Sequence, residues 1–306
     1  MLILPRWWQP SLAILVALLG AMLTMMLVHA SWNNALHEHE QVFTAQSEAV
    51  REQLLVRVKA NDEMITNLAT FVNSVTHMDA DQFRLFSEEL LRRHPYLLST
   101  SYLPRVDKNE RLNFELSRFE AGFPGFVITN RSGDDYLPAP LRVQYFPLLF
   151  IEPFEPATVV MIGFDVLSEA PLVQAVQAAI DMAQRSASRP YLIEEHAWGY
   201  WLFTAIYAGK DPPATLDERR LAVNGLVALR INGERMLAES LATRPLSAQL
   251  WMIPGGSAAP INLAITTSAD EPTGAGQPRS SRAAPKSARA GNASSSICSA
   301  QYPGTM

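Results

Sequence analysis

Hydrophobic positions are most concentrated near the N-terminus, where an uncharged run extends from Trp7 to Val28. As a helix, its apolar centre, residues 12–28, rises about 25 Å, close to the roughly 30 Å core of a bilayer. Arg6 precedes the run, and a positive charge on that side keeps the N-terminus in the cytoplasm. The pattern predicts a single anchor in the inner (plasma) membrane over residues 1–30, with the rest of the chain periplasmic or extracellular.

The same stretch also fits a cleaved signal peptide. Val28 and Ala30 occupy the two positions that a signal peptidase reads, directly before Ser31. Cleavage there would release a soluble periplasmic protein that binds a small molecule. Both interpretations place residues 31 onward outside the cytoplasm.

After the anchor, apolar residues recur mostly at steps of three and four from His37 to Val75, without Pro or Gly. This period predicts a helical stalk within residues 31–78. Such a helix is about 60 Å long. Because that exceeds what one small domain covers, we expect the stalk to pair with a second copy in a homodimer.

A second helix is predicted over residues 80–93. Asp79 precedes it, and Gln82 follows at the spacing of a capping box, in which each side chain bonds the other residue's backbone N–H. Pro95 ends the helix, because proline cannot continue the backbone hydrogen bonding.

From Pro95 onward the pattern changes to short β segments mixed with helices. Helices are predicted over residues 172–183 and 234–241, and residues 110–115 are taken with the extended segments. Without strict alternation of strand and helix, the pattern indicates an α+β fold. The predicted strands cover residues 98–106, 126–129, 145–151, 158–164, 191–193, 200–207 and 225–231, with a closing hairpin of residues 249–253 and 261–266.

Charge and cysteine content limit the partners that the chain can bind and the interactions that can stabilise it. Residues 31–268 carry 20 basic and 28 acidic side chains, an acidic balance that argues against nucleic acid as a partner. The one cysteine, Cys298, cannot form an intramolecular disulfide, so stability outside the cytoplasm must come from packing.

Several motifs in one order carry a family resemblance. The chain resembles the CHASE domain, the extracytoplasmic sensory module of many receptor histidine kinases and nucleotide cyclases, over roughly residues 80–240. The motifs, in order, are RHPYL (93–97), SYLPRV (101–106), NERLNFE (109–115), the Y-x-P of residues 145–147, GFD (163–165), IYAG (206–209), ERR (218–220) and NGLVALRI (224–231).

The resemblance implies a long N-terminal helix followed by tandem PAS-like mixed sheets with flanking helices, a dimer, and a small ligand in the membrane-distal lobe. We assign this sensory domain to residues 79–267. Full-length relatives carry a kinase or cyclase output domain, whereas no enzyme motif is found in this chain. We therefore expect no catalytic activity, no cofactor and no metal site.

The predicted pocket wall comprises residues 142–150, faced by residues 163–165, Ile193 and residues 202–207. A small-molecule site needs apolar walls and a few placed polar groups, and the candidates are Tyr136, Arg142, Gln144, Tyr145 and Thr204. Arg142 hints at an anionic ligand. In plant cytokinin receptors of this family an acidic residue precedes the tyrosine of the Y-x-P motif; Val143 and Gln144 stand there, which argues against an adenine-type ligand.

Two other polar features are interpreted as structural. We expect Glu110, Arg111 and Glu115 to form a charged brace, and Asp165 to cap the turn or helix that follows it.

The last segment, residues 268–306, changes to Ser, Ala, Gly, Pro and Arg without any period. Such a composition buries too little apolar surface to fold, so a disordered tail is predicted. Relatives continue here into a second span and an output domain. We therefore expect a truncated receptor, a membrane-anchored sensor that binds a small ligand for transmembrane signalling.

Overall fold

The structure is a computed structural model of the 306-residue chain. It describes residues 8–75, 78–133, 135–193, 197–209, 211–241, 247–252, 260–266 and 296–301. The chain divides into two units, residues 1–50 and residues 51–306. Each unit is treated by itself below.

The described helices and strands follow one another in chain order. The helices are α1 (Trp8–Ser74), α2 (Ala80–Arg93), α3 (Arg111–Glu120), α4 (Pro156–Val159), α5 (Ala170–Met182), α6 (Leu216–Ala222) and α7 (Gly233–Leu241). The strands are β1 (Leu97–Pro104), β2 (Val106–Asp107), β3 (Thr129–Ser132), β4 (Asp135–Pro138), β5 (Gln144–Tyr145), β6 (Phe150–Glu152), β7 (Ser186–Ala187), β8 (Tyr191–Leu192), β9 (Trp198–Tyr207), β10 (Val223–Asn232), β11 (Ser247–Met252), β12 (Ile261–Thr266) and β13 (Ser296–Gln301).

In the first unit, α1 begins at Trp8 and runs without interruption into the second. Large apolar side chains of this unit are exposed, with Met22 at 72 % and Met25 at 77 %. Among the described residues, no helix combines the length and the apolarity that crossing a membrane requires. The predicted membrane anchor is therefore not confirmed.

In the second unit, the last part of α1 carries a buried apolar stripe that includes Leu54, Ile65 and Leu68. Phe71 of α1 stacks on Phe86 of α2 with ring centroids 4.4 Å apart. The start of α2 follows the sequence prediction: Asp79 accepts from the backbone N–H of Gln82, and the Gln82 side chain accepts from the N–H of Asp79.

A six-stranded antiparallel sheet forms the centre of the second unit. Its strand order is β6–β1–β10–β9–β7, and β8 also pairs with β9. Helix α5 packs against β9 through its buried face, which includes Leu172, Val176 and Ile180. The predicted strands 200–207 and 225–231 correspond to β9 and β10, and the predicted helix 172–183 corresponds to α5.

A second described sheet has the order β12–β11–β13. Its β11–β12 pair is the predicted closing hairpin, as far as the residues of that hairpin are described. Strand β13 lies inside the segment predicted to be disordered and pairs antiparallel with β11. Residues 267–295 and 302–306 lie outside the described residues.

Every described ladder is antiparallel, so the fold is α+β as predicted but its sheets are not mixed. The tandem PAS-like arrangement stays a prediction.

Two segments predicted as extended are helical or turned. Residues 111–120 form α3 rather than a strand. Residues 158–164 were predicted as a strand because they are almost uniformly apolar, but Pro156 occupies the first turn of α4, and Glu155 and Thr158 form a capping box there. The chain then turns at Gly163, whose φ of 88° is rarely adopted by other residues. Strand β3 also begins where the predicted strand 126–129 ends.

A buried polar cluster fixes α1 to the sheet. Asn61 of α1 is 1 % exposed, and its Oδ1 accepts a 3.0 Å hydrogen bond from the Tyr96 hydroxyl. Burial raises the pKa of Tyr96 to about 12, partly offset by Arg57, which lies over its ring and pairs with Glu239 of α7. Burial likewise raises the pKa of Tyr200 on β9, while Asn61 acts to lower it.

We predict that Asn61→Ala lowers the free energy of unfolding by about 1–3 kcal/mol, because the Tyr96 hydroxyl loses its buried acceptor. The control is Asn113→Ala on the exposed side of α3, expected to change stability by less than about 0.5 kcal/mol. Urea denaturation of the purified chain measures both. An Asn61→Ala protein as stable as wild type would show that the cluster does not hold the helix.

Candidate ligand-binding site

A cavity of about 190 Å³ lies over one face of the central sheet. The chain contributes to it from the β3–β4 hairpin, the α4 region, the start of α5 and strands β8, β9 and β10. Its polar lining comprises Arg131, Tyr136, Glu169, Tyr191 and Arg230, and its apolar lining includes Met161, Phe164, Leu172 and Trp201. The volume is somewhat larger than the ~150 Å³ that accommodates benzene in an engineered cavity.

The register of the strands determines which side chains form the cavity wall on the side of the central sheet. Trp201 of β9 lies directly opposite Arg230 of β10, so the two side chains share one face. On the neighbouring strand β1, Ser99 lies opposite Arg230. Gly199 leaves room for the Ile193 side chain at the edge of the cavity. A Cβ added to residue 199 would lie 1.8 Å from the Cδ1 of Ile193.

The opposite wall depends on a second glycine. A Cβ on Gly163 would meet the Val127 carbonyl oxygen at 2.3 Å, so only glycine permits the turn that delivers Phe164. The Phe164 ring meets the Tyr136 ring edge-on at 5.7 Å. Tyr136 is held on the β3–β4 hairpin, directly opposite Arg131.

The two phenols of the cavity are neutral hydrogen-bonding groups. Burial raises the pKa of Tyr136, while Arg131 and Arg230 act to lower it and Glu169 to raise it. Burial also raises the pKa of Tyr191, while Arg230, Trp201 and Arg131 act to lower it. Both tyrosines thus feel the same two cations, which shows that the charged groups converge on one region.

Comparison with known proteins decides the family. The family model described as the CHASE domain matches residues 76–272, more than half of the chain. The chain belongs to the CHASE domain family. The resemblance given by the sequence motifs is confirmed, and the match extends beyond the residues that carried them. A CHASE domain is a sensory module that works outside the cytoplasm.

Among solved structures, the CHASE chain is similar to the extracellular domain of mmHK1S-Z3, described there as a histidine kinase. The two share 14 % sequence identity, the likeness covers 75 % of this chain and 70 % of the other, and the TM-score is 0.38. A score this low carries no further argument. No curated protein matches the chain.

Of the five predicted site residues of the CHASE domain, Tyr136 lines the cavity. Arg142, Gln144, Tyr145 and Thr204 do not line it. Thr204 lies outside the cavity because side chains alternate between the two faces of a strand. It follows Trp201 by three residues on β9, so its side chain is on the opposite face. Gln144 is on β5, where it pairs with Asp107. A ligand role for these four residues stays a prediction.

Arg142 and Tyr145 belong to a neighbouring network instead. Arg142 forms a 2.6 Å ion pair with fully buried Asp165. The Tyr145 hydroxyl donates to the Pro140 carbonyl oxygen at 3.0 Å and accepts from the Arg142 backbone N–H at 2.7 Å. Asp165 also accepts from the Leu167 N–H, which confirms its predicted capping role.

The Arg111–Glu115 part of the predicted charged brace is present, although it stands on a helix. Arg111 pairs with Glu115 across one turn of α3 at 2.9 Å and donates to the Ala139 carbonyl oxygen at 2.7 Å. Glu115 in turn accepts from the Ile128 N–H. The brace joins α3 to the segment before β3 and leaves Glu110 without a capping side-chain bond.

Sequence reasoning missed Arg230, Glu169, Tyr191 and Trp201 as cavity residues. One signal was available: Arg230 is the only charged residue within the run from Val223 to Asn232. A charged side chain in a buried strand needs a partner. Among the described residues, no group of three or more His, Cys, Asp and Glu side chains could hold a metal ion.

The Arg142–Asp165 pair makes stability depend on pH. Burial is the largest influence on Asp165 and raises its pKa above the ordinary value, while Arg142 is one of the groups that lower it. Because the folded-state pKa is the higher one, Asp165 favours folding below its unfolded pKa and loses that contribution as pH rises through the folded value.

We predict that Arg142→Met raises this pKa further and costs about 3 kcal/mol of stability at pH 7.5, the lower end for a broken buried pair since Arg142 is 29 % exposed. The loss should shrink towards pH 4, where Asp165 is protonated. Urea unfolding at both pH values tests this, and Asp165→Asn added to Arg142→Met should remove the pH dependence. Equal losses at both pH values would contradict the role given to the carboxylate.

Proposed function

We propose that this chain is the sensory part of a transmembrane receptor and that its signal is a small molecule bound in the cavity lined by Trp201 and Arg230. The observation that carries the proposal is the convergence of two phenols, two guanidinium groups and a carboxylate on one apolar cavity in a CHASE domain. Apolar walls with a few placed polar groups are the usual composition of a small-molecule site.

The route from the cavity to α1 is short. Trp201 lines the cavity, while its neighbour Tyr200 lies on the opposite face of β9, where Asn61 of α1 acts to lower its pKa. Occupation of the cavity would bias the position of β9, and β9 is fixed to the helix by the buried cluster. A ligand acts through such an element only by binding one of its positions more tightly than the other.

The remaining parts of the proposal rest on the sequence and on exposed surface. The uncharged run of residues 12–28 would tether the module to the inner membrane, and Leu55 and Val56 of α1, exposed by 48 % and 67 %, would contribute to pairing with a second copy. The alternative, a soluble periplasmic binding protein, is supported by the Val28-His29-Ala30 sequence.

Blocking the cavity tests the site. We predict that Ala157→Trp, at the exposed rim, abolishes the rise in melting temperature that a bound small molecule produces. A ligand at about 100 times its Kd stabilises by about 2.7 kcal/mol, or several degrees. Ala214→Trp, on an exposed loop outside the lining, should keep the shift. A shift that Ala157→Trp leaves intact would place binding elsewhere.

The tether is tested by the mature N-terminus. We expect mass spectrometry to find the uncleaved N-terminus in the membrane fraction, and a phosphatase fused after the last residue to be active outside the cytoplasm. A mature chain that begins at Ser31 in the soluble periplasmic fraction would establish the alternative. An inactive fusion, with the chain in the cytosol, would exclude both.

A further inference from the structure

Arg230 is poorly satisfied for a guanidinium group on a buried strand. Its Nη2 lies 3.4 Å from the Ile193 carbonyl oxygen, and its Nη1 lies 4.0 Å from the Met161 sulfur, a weak acceptor. Its Nε is buried and has no hydrogen-bond partner among the described residues. Among the described residues, the guanidinium group therefore has two weak acceptors and the neighbouring Tyr191 phenol, whose pKa it acts to lower.

Three other half-buried arginines of the second unit are paired with carboxylates. Arg57 reaches Glu239 at 2.8 Å, Arg111 reaches Glu115 at 2.9 Å and Arg142 reaches Asp165 at 2.6 Å. Arg230 has no described carboxylate within ion-pair distance, although Glu169 lines the same cavity. The difference marks Arg230 as a cation whose partner is not supplied by the described residues.

A second unsatisfied atom lies beside it. Ser99 of β1 faces Arg230 in the register of the sheet, and its buried Oγ also has no partner among the described residues. Unpaired buried polar atoms are uncommon in folded proteins and call for an explanation. Ser99 is not part of the cavity lining, whereas the donor fork of Arg230 lines the cavity together with the phenols Tyr136 and Tyr191.

We propose that Arg230 holds the carboxylate of a small organic acid whose apolar body packs on Trp201, Phe164 and Leu172. This inference rests on the proposed function and adds the chemical class of the ligand. A carboxylate matches the forked geometry of a guanidinium group and can accept from two of its N–H groups at once. The volume of about 190 Å³ admits a body of roughly the size of one benzene ring.

The other charges of the cavity select a monocarboxylate over a more highly charged anion. Glu169 lines the same space, and its negative charge opposes a dianion such as phosphate. Arg131 also lines the cavity, but its Nε donates to the Gly133 carbonyl oxygen at 2.9 Å, whereas the Nε of Arg230 has no partner among the described residues. The carboxylate therefore lies at Arg230, with the neutral hydroxyls of Tyr136 and Tyr191 as additional donors.

Matched acids and amides test the charge of the ligand. Benzoate, phenylacetate, 3-methylbutanoate and leucine are compared with their uncharged or amidated counterparts, and with inorganic phosphate, by melting temperature and calorimetry on the purified full chain. We expect at least one acid to bind and its amide to bind at least about tenfold more weakly, because the charge-assisted hydrogen bonds are lost. An amide that binds as tightly as its acid, or binding of phosphate alone, would overturn the assignment.

Arg230→Met should weaken binding of that acid at least about tenfold, and Arg230→Lys, which keeps the charge but not the fork, should weaken it less. The control is Arg118→Met, a half-buried arginine of α3 that packs on Phe114 and lies outside the cavity lining. The acid–amide comparison uses only the wild-type chain, so it tests whether the ligand is a carboxylate even if Arg230→Met does not fold.

The outcomes separate the two proposals. Neutral ligands that bind, and whose binding Ala157→Trp abolishes, would overturn the carboxylate while leaving the sensory cavity in place. If no compound of either charge shifts the wild-type melting temperature, the cavity is not a binding site and both proposals fail. Acid binding that survives Arg230→Met would remove Arg230 from the site.

Discussion

The pairing of β9 with β10 is the constraint on which both the fold and the site depend. Its register sets Trp201 against Arg230 on one face and Tyr200 against Ile231 on the other. The first pair faces the cavity, and the second lies on the side that holds α1. A slip of one residue would exchange the two faces of a strand, so the same register that buries the core also assigns the cavity and the helix to opposite sides.

Local sequence signals predicted those elements in which nearby side chains determine the conformation of the backbone. The capping box at Asp79 fixes the start of α2, and the buried stripe of α5 has the helical period. Strands β9 and β10 were predicted from the apolar runs 200–207 and 225–231, whose short length and β-branched and aromatic residues favour buried strands. Residues 158–164 were misjudged because an apolar run does not distinguish a strand from a buried turn, and the deciding features, Pro156 and the φ of Gly163, act before and after the run.

The site was harder to predict than the fold because cavity residues come together through topology. Tyr136 was identified on its own chemistry, whereas Tyr191 and Glu169 join it only once β8 pairs with β9 and the segment after Gly163 turns back over the sheet. Arg142 illustrates the opposite error. Its positive charge suggested a ligand, but the sequence does not show that Asp165, twenty-three residues later, reaches it at 2.6 Å.

Arg142 and Arg230 place the same residue type in two different electrostatic settings. Arg142 neutralises a buried carboxylate, so its removal would leave a charge without a partner. Arg230 leaves polar atoms unsatisfied, at a cost of about 1–3 kcal/mol for a buried group, and an apolar residue of similar volume would serve stability better. A ligand carboxylate would recover that free energy only in the bound state. A ligand can shift a sensor only by the difference between its affinities for the two states of the sensor. Arg230 lies on β10, next to strand β9, which carries Tyr200 on the side of α1. An unpaired cation at this position is suited to make that difference in affinity large.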